Sequence, residues 1–413
     1  MSQDNMVVVG SGHAGARAVQ ALRANNWRGR ITLIDGEGCT PYERPPLSKA
    51  VLKGHVKAED APLFPTGFLD GNDVELLTGV EAVAIDRPAR QLHLSSGGYV
   101  DYHRLLLATG AEPRELDIPG KELGGSHSLR NAGDAARIAP HLKPGADIVI
   151  VGGGLIGLEV AASATAHGCN VTVIEAGPRL MTRAVPERLA HTIRHFHESK
   201  AVRFVFGRQA GAFLGDDGVL RALRLDDGTT LPCTVAVISI GVRPRTALAE
   251  AAGLDIDNGI AVDRFLRTSD PSIYAAGDAC SFVLASGKRM RLECWKNAED
   301  QGVVVARNML GADEPYIPSP WMWSDQFDRT MQIAGQVDGA AHVERHCADG
   351  TLLIYHLDEN RMILGVSGFG SIREVSRGVR TGQLLMEKDV RPGNQALSDP
   401  DFDLRTFAKA AVA

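Results

Sequence analysis

Two glycine-rich turns, each answered by an acid, carry the clearest chemistry in this chain. The first, Gly10-Ser11-Gly12-His13-Ala14-Gly15, follows the apolar run Val7-Val8-Val9 and leads to Asp35 at the end of Ile31-Thr32-Leu33-Ile34. The second, about 140 residues later, is Gly152-Gly153-Gly154-Leu155-Ile156-Gly157; it follows Ile148-Val149-Ile150-Val151 and leads to Glu175 at the end of Val171-Thr172-Val173-Ile174. In such a turn the first glycine permits a tight bend, the second lets bare backbone approach a pyrophosphate, and the third lets the next helix lie against the sheet. The helix amides then face the phosphates, and the acid accepts hydrogen bonds from a ribose diol. One such turn is a weak signal, but two complete copies predict a chain that binds two dinucleotides.

Each turn needs a strand before it and a helix after it, so an α/β fold with two Rossmann-like dinucleotide-binding domains is expected. Strand-like runs at 74–77, 91–94 and 104–108 close the first copy on Ala108-Thr109-Gly110, and the Pro- and Gly-bearing stretch 111–120 reads as a boundary. The second copy continues through a helix at 186–199, strands at 202–206 and 222–225, and a buried run at 234–241. Ser272-Ile273-Tyr274-Ala275-Ala276-Gly277-Asp278 and a helical run at 297–310 then return to the first, so the second domain is predicted to be inserted in it. Beyond the proline-rich loop 311–320, alternating patterns at 331–335, 351–357 and 362–368 and a helix at 372–381 predict a small C-terminal α+β domain. The expected division is 1–111 with 242–319, then 112–241, then 320–413.

The 413 residues are too many for one core, and 44% hydrophobic with 23% charged residues is ordinary globular composition. A formal charge of −6 with no basic block argues against nucleic-acid binding. The first apolar run is too short for a signal-peptide core, and the longest, 148–166, contains three consecutive glycines and Glu159, so no membrane span and a cytoplasmic location are expected. Cys39, Cys169, Cys233, Cys280, Cys294 and Cys347 are scattered without a C-x-x-C pair, which predicts no disulfide framework, no metal site and no iron–sulfur cluster on the chain itself. Oligomeric state is not fixed by these features; a homodimer is one option.

Together with Pro41-Tyr42-Glu43-Arg44-Pro45-Pro46-Leu47-Ser48-Lys49, Leu158-Glu159 and Trp321-Met322-Trp323-Ser324-Asp325-Gln326, these motifs make the chain resemble the FAD-containing, NADH-dependent ferredoxin reductases that feed Rieske-type aromatic-ring dioxygenases and bacterial cytochrome P450 systems. The resemblance spans nearly the whole chain. It implies non-covalent FAD in the first domain, NADH in the second, and a [2Fe–2S] ferredoxin as partner. On the FAD side it implies Gly10, Gly12, Ala14 and Gly15 at the pyrophosphate, Asp35 at the adenosine ribose and Ala82 at the adenine. It further implies Ala108, Thr109 and Gly110 at the closing turn, Arg44, Lys49 and Arg130 beside the flavin, Gly277 and Asp278 at the ribityl chain, and Trp295 and Trp323 as nearby aromatics. On the NAD side it implies Gly152, Gly154, Ile156 and Gly157 at the pyrophosphate, Glu175 at the ribose and Gly241 near the nicotinamide half. A 2′-phosphate beside Glu175 would bring like charges together, so NADH is favoured over NADPH; Arg179, which could reverse this, reads as a surface residue.

Nicotinamide releases electrons as a hydride pair and a [2Fe–2S] centre accepts them singly, which is the mismatch a flavin resolves. The resemblance therefore implies hydride transfer from NADH to the flavin and two single-electron steps to the ferredoxin. Lys49 and Glu159 are expected to be the catalytic pair near flavin N5, the ammonium facing negative charge on the reduced ring. The alternative is a salt bridge joining two domains.

Other residues read more plainly. Trp321 and Trp323 line an electron exit or fill a core; His13 is a solvent-facing passenger; His191, His195 and His197 are surface residues without a metal-site pattern. Arg361, Arg373, Arg377, Arg380, Lys388 and Arg391 give the stretch 361–391 of the last domain a local basic excess that would suit an acidic ferredoxin or simply be a solvated face. Two rivals share the dinucleotide plan. A disulfide or peroxide reductase needs a nucleophilic cysteine against the flavin, where only Cys39 is at hand. A redox-sensing interaction flavoprotein would differ by slow turnover.

Overall fold

The computed structural model describes residues 4–182, 184–284 and 286–410. The chain forms two compact units. The first comprises the described residues up to Arg44 with Lys57–Glu112 and Val242–Ser319; the second comprises Pro45–Val56, Pro113–Gly241 and the described residues from Pro320 onward.

In the first unit, short β-branched and leucine-rich runs bury both their faces and therefore form a parallel sheet. Its strands lie in the order Ile273–Ala275, Arg104–Leu107, Asn5–Val9, Arg30–Asp35, Val74–Thr78. Helix His13–Ala24 packs on helix Trp295–Met309, where a Cβ on Gly302 would lie 2.7 Å from Ala14 O, so only glycine permits that approach. An antiparallel meander, Ala82–Asp86, Gln91–Leu94 and Tyr99–Asp101, precedes the closing strand.

The second unit repeats this plan strand for strand. Arg203–Phe206, Asn170–Glu175, Asp147–Val151, Val235–Ile238 and Ser126–Ser128 form a parallel sheet in that order, with the meander Ala210–Asp216, Val219–Leu225 and Thr230–Pro232 in the matching place. The duplication seen in the glycine turns thus extends through the whole nucleotide fold. Register repeats as well: Val9 pairs with Ile34 and Leu107, and Val151 with Ile174 and Ile238. Each glycine turn leaves its sheet where strand order reverses, the place where open α/β sheets take ligands.

The same unit carries an antiparallel sheet ordered Trp321–Gln326, Arg329–Gly335, Ile363–Gly370, Leu352–Leu357, Ala341–His346. Val375, Val379 and Leu385 of helix Ile372–Glu387 cluster with Leu353, Tyr355 and Val366. The alternate residues Met331, Ile333, Ile354 and Phe369 cluster instead with Leu158, Leu189 and Ile193. No helix among the described residues is long and apolar enough to cross a membrane.

Candidate active site

Helix His13–Ala24 begins without a side-chain cap and without an acid in its first turn, which leaves its N-terminal amides available and partially positive. Gly10 has φ +101°, and a Cβ there would lie 2.2 Å from Ala108 O; a Cβ on Gly15 would lie 1.9 Å from Gly10 O. Gly12 is different. Its backbone is extended, and a Cβ would meet nothing nearer than Arg44 Nε at 3.9 Å. Neither turn geometry nor internal packing calls for glycine there, and the open backbone leaves room for a group such as a pyrophosphate to approach.

The second turn has the same three-part logic. A Cβ on Gly152 (φ +112°) would lie 2.2 Å from Ser239 O and one on Gly157 2.2 Å from Gly152 O, whereas Gly154 has nothing within 4 Å and extended backbone. Helix Leu155–Ala166 also starts uncapped, and Ile156 on its first turn is exposed.

Both acids are held in place. Asp35 is buried; its Oδ1 accepts from Ser11 Oγ at 2.7 Å and its Oδ2 from Glu37 N at 3.2 Å, and burial raises its pKa against the opposing Ser11 bond. A recess beside it is lined by Gly12, Glu37, Cys39, Tyr42 and Arg44, where Glu37 bonds both Arg44 and Tyr42. Burial, with Glu37 and Asp35 adding to it, pushes the Cys39 thiol up, against the thiolate that nucleophilic chemistry needs. Glu175 accepts from Gly153 N at 2.8 Å and Gly177 N at 2.7 Å. Arg179 is partly exposed, and its guanidinium donates to the carbonyls of Leu180, Thr182 and Val185, because the loop after the acid turns its backbone oxygens onto that side chain.

Lys49 sits on a one-turn π-helix, Leu47–Val51, a form often found at functional positions. Its Nζ lies 2.8 Å from Glu159 Oε2 and donates to Pro45 O at 3.1 Å. Glu159 is buried on helix Leu155–Ala166; Ser48 Oγ donates to the same Oε2, and Ser324 Oγ donates to Oε1 at 2.7 Å. Three donors therefore satisfy one buried carboxylate, which is the condition for keeping a charge in such a place. Every member lies in the second compact unit, so this ion pair is not a bridge from one unit to the other.

Residues 4–302 match the family model described as Pyridine nucleotide-disulphide oxidoreductase, and residues 321–408 match the one described as Reductase C-terminal. The chain belongs to the pyridine nucleotide-disulphide oxidoreductase family. As a member it is an oxidoreductase that takes FAD and a pyridine nucleotide. It is 36% identical over 411 residues to the anthranilate 1,2-dioxygenase system ferredoxin–NAD(+) reductase component of Burkholderia cepacia, covering 98% of this chain and 100% of that one. Among solved structures it is similar to the ferredoxin reductase for the CYP199A2 system from Rhodopseudomonas palustris, with a TM-score of 0.92, 34% identity, and coverage of 98% and 100%. It is equally similar to putidaredoxin reductase in its covalent complex with putidaredoxin, with a TM-score of 0.92, 31% identity, and 100% of both chains covered.

In this pyridine nucleotide-disulphide oxidoreductase the remaining expected residues fall as follows. Gly277 (φ +78°) comes within 3.0 Å of Ala14 Cβ by its own would-be Cβ, which accounts for the small residue at 14; Asp278 is half-buried beside it. Gln301, wholly buried, accepts from Gly277 N at 2.7 Å, and its Nε2 has no partner among the described residues, which leaves a donor for a ligand at that box. Thr109 Oγ1 donates to Arg245 O at 2.7 Å, and Gly110 (φ +70°) accepts from Arg245 N at 3.0 Å. Ala82 opens its meander strand, and Arg130 N donates to Asp134 Oδ2 at the start of helix Ala132–Ile138. Arg114 N donates to Gly241 O at 3.0 Å, fixing a glycine with φ +97°. Trp323 stacks on Trp321 with ring centroids 5.1 Å apart.

Two histidines depart from expectation. His13 is buried, not solvent-facing: it bonds Glu43 Oε2 at 2.9 Å and meets the edge of Trp295 at 6.1 Å, and this bond holds Glu43 below the usual carboxylate range. His197 is wholly buried, whereas His191 and His195 are exposed. It continues the Leu189–Ile193 stripe at a spacing of four, a helical face that the polarity of its neighbours obscures. Ser48, Ser324 and Gln326 stand inside the motifs at 41–49 and 321–326, and Gln301 in the helical run 297–310, yet no spacing marks these hydroxyls and amides as functional.

Proposed function

We propose that this oxidoreductase passes electrons from NADH, through FAD, to a [2Fe–2S] ferredoxin serving an oxygenase. The carrying observation is the pair of glycines, Gly12 and Gly154, that nothing inside the chain requires. In this reading 1–111 with 242–319 holds FAD, 112–241 holds NADH, and 320–413 meets the partner. Gly10, Gly12, Gly15, Asp35, Gly277, Asp278 and Gln301 would hold FAD; Gly152, Gly154, Gly157, Glu175 and Gly241 would hold NADH. Bound FAD supplies the conversion of a hydride pair into single electrons. Lys49, paired with Glu159 at 2.8 Å, would supply a fixed positive charge for the reduced flavin. Glu175 would bind a free ribose diol and repel a 2′-phosphate, while the Arg179 guanidinium donates to three loop carbonyls.

The ferredoxin assignment is supported by the relatives at more than 30% identity, which are ferredoxin and putidaredoxin reductases. The raised Cys39 thiol weighs against a disulfide reductase. A homodimer is compatible with the cycle and is not required by it. A reducing compartment such as the cytoplasm suits the free cysteines. Glu175→Ala tests the assignment of sites: kcat/KM for NADPH relative to NADH should rise by about tenfold or more, with flavin absorbance retained. Loss of the flavin instead would mean that the two sites are reversed.

A further inference from the structure

Glu159 has a second line of support that the hydride step does not itself call for. On strand Trp321–Gln326, Ser324 Oγ receives Gln326 Nε2–H at 3.1 Å while donating to Glu159 Oε1; Gln326 Oε1 in turn lies 2.9 Å from Nε2 of His197, on helix Glu187–Ser199. Ser324, Gln326, His197 and Glu159 are all buried. The direction of every link follows from its end. A carboxylate only accepts, so the Ser324 proton points to Glu159; the Ser324 oxygen then accepts, so the Gln326 amide nitrogen faces it; the Gln326 carbonyl is left for His197, whose Nε2 must carry the proton.

His197 fits that role. Phe327, Phe204 and Phe196 surround it edge-on at ring-centroid distances of 5.1, 6.1 and 6.4 Å, and its Nδ1 has no partner among the described residues. Burial pushes its pKa down to about 4, against the Gln326 bond, so it is a neutral single donor. An apolar residue would fill the same aromatic pocket without leaving a nitrogen unsatisfied; a polar chain kept there fixes geometry.

We infer that His197, Gln326 and Ser324 form a one-way chain of hydrogen-bond donors that positions the Glu159 carboxylate on Lys49. The inference rests on the reading that Lys49 and Glu159 work beside the flavin. The titratable members are Lys49 on the π-helix, Glu159 on helix Leu155–Ala166 and His197 on helix Glu187–Ser199. All three donors are positioning residues.

The test uses the holoenzyme with Ser324→Ala, Ser324→Thr and His197→Phe, and Lys49→Met as a control on the site itself. One readout needs no turnover: nitrogen-15 spectra of the native protein should show His197 uncharged and protonated on Nε2 from about pH 5 to 8. The Gln326 side-chain amide should be protected from exchange and lose protection in Ser324→Ala. In stopped-flow reduction by NADH without acceptor, Ser324→Ala should lower the limiting rate about tenfold at unchanged half-saturation, as expected for loss of one hydrogen bond to a charged group. Ser324→Thr should restore it, and His197→Phe should slow it by roughly threefold, a weaker effect transmitted through two neutral links. A charged or Nδ1-protonated His197, or a wild-type rate in Ser324→Ala while Lys49→Met is slow, would overturn the inference. A wild-type rate in Lys49→Met would remove the pair from the flavin side and take the inference with it.

Discussion

The glycines of one motif answer to different constraints, and the structure separates them. Gly10 and Gly15 are required by the chain, because a Cβ would enter a neighbouring carbonyl; at Gly12 a Cβ would meet nothing nearer than 3.9 Å, so in the proposed reading only the cofactor calls for glycine there. Substitution should split accordingly. Gly12→Ala should change stability by no more than about 1 kcal/mol, the scale of a helix-cap exchange, while lowering the flavin content of the purified protein. Gly10→Ala should fail to give folded protein, since it combines a backbone carbonyl clash with φ +101°. Melting curves and the visible flavin band check both; a Gly12→Ala protein that keeps full flavin would show that the open glycine has no ligand to admit. These positions were legible because spacing reports them directly. His197 and His13 were not, because a polar residue pointing inward looks the same in sequence as one pointing out until its neighbours' burial is known.

Helix Ile372–Glu387 shows how an element divides its labour. Val375, Val379 and Leu385 face the antiparallel sheet, Gly378 and Gly382 let it approach Leu353 and Val366, and Arg373, Arg377 and Arg380 remain exposed. The helix extends to Glu387, past the 381 expected, since Leu385 continues its buried stripe. In a chain of net charge −6 this local basic face would steer an acidic partner. Reversing Arg377 and Arg380 to glutamate should lower kcat/KM for the ferredoxin by about tenfold and weaken its salt dependence, with flavin reduction by NADH unchanged. Equal turnover at low salt would place docking elsewhere. Alternation of hydrophobicity does not reveal strand Trp321–Gln326, because its buried positions, Ser324 and Gln326, are polar.

The chain as an assembly is a duplication with an appended sheet, and the glycine turns announced the duplication because each must stand at the same point of the same sheet. What spacing could not show is which segments share a core: Pro45–Val56, far from Glu159 in sequence, lies in one compact unit with it. Stability should carry the mark of two buried neutral histidines in that unit. His197 and His356, the latter bonded to Ser367 at 2.9 Å, both fall from the ordinary 6.5 to about 4 through burial. Between those values the unfolded chain binds more protons, so stability rises with pH there and is lost as pH falls from about 6.5 to 4, by roughly 3 kcal/mol for each histidine. Denaturant midpoints across that range, in native protein and His356→Gln, would check the sign; a flat profile would contradict it.

The most direct measurement is anaerobic stopped-flow mixing of the purified yellow protein with NADH in the presence of an oxidised [2Fe–2S] ferredoxin, with the flavin and iron–sulfur bands followed together. The account predicts flavin bleaching at tens per second or faster, followed by reduction of about two ferredoxins per NADH. A protein that is colourless and cannot be reconstituted with FAD, or a flavin that stays reduced for minutes with ferredoxin present, would contradict it.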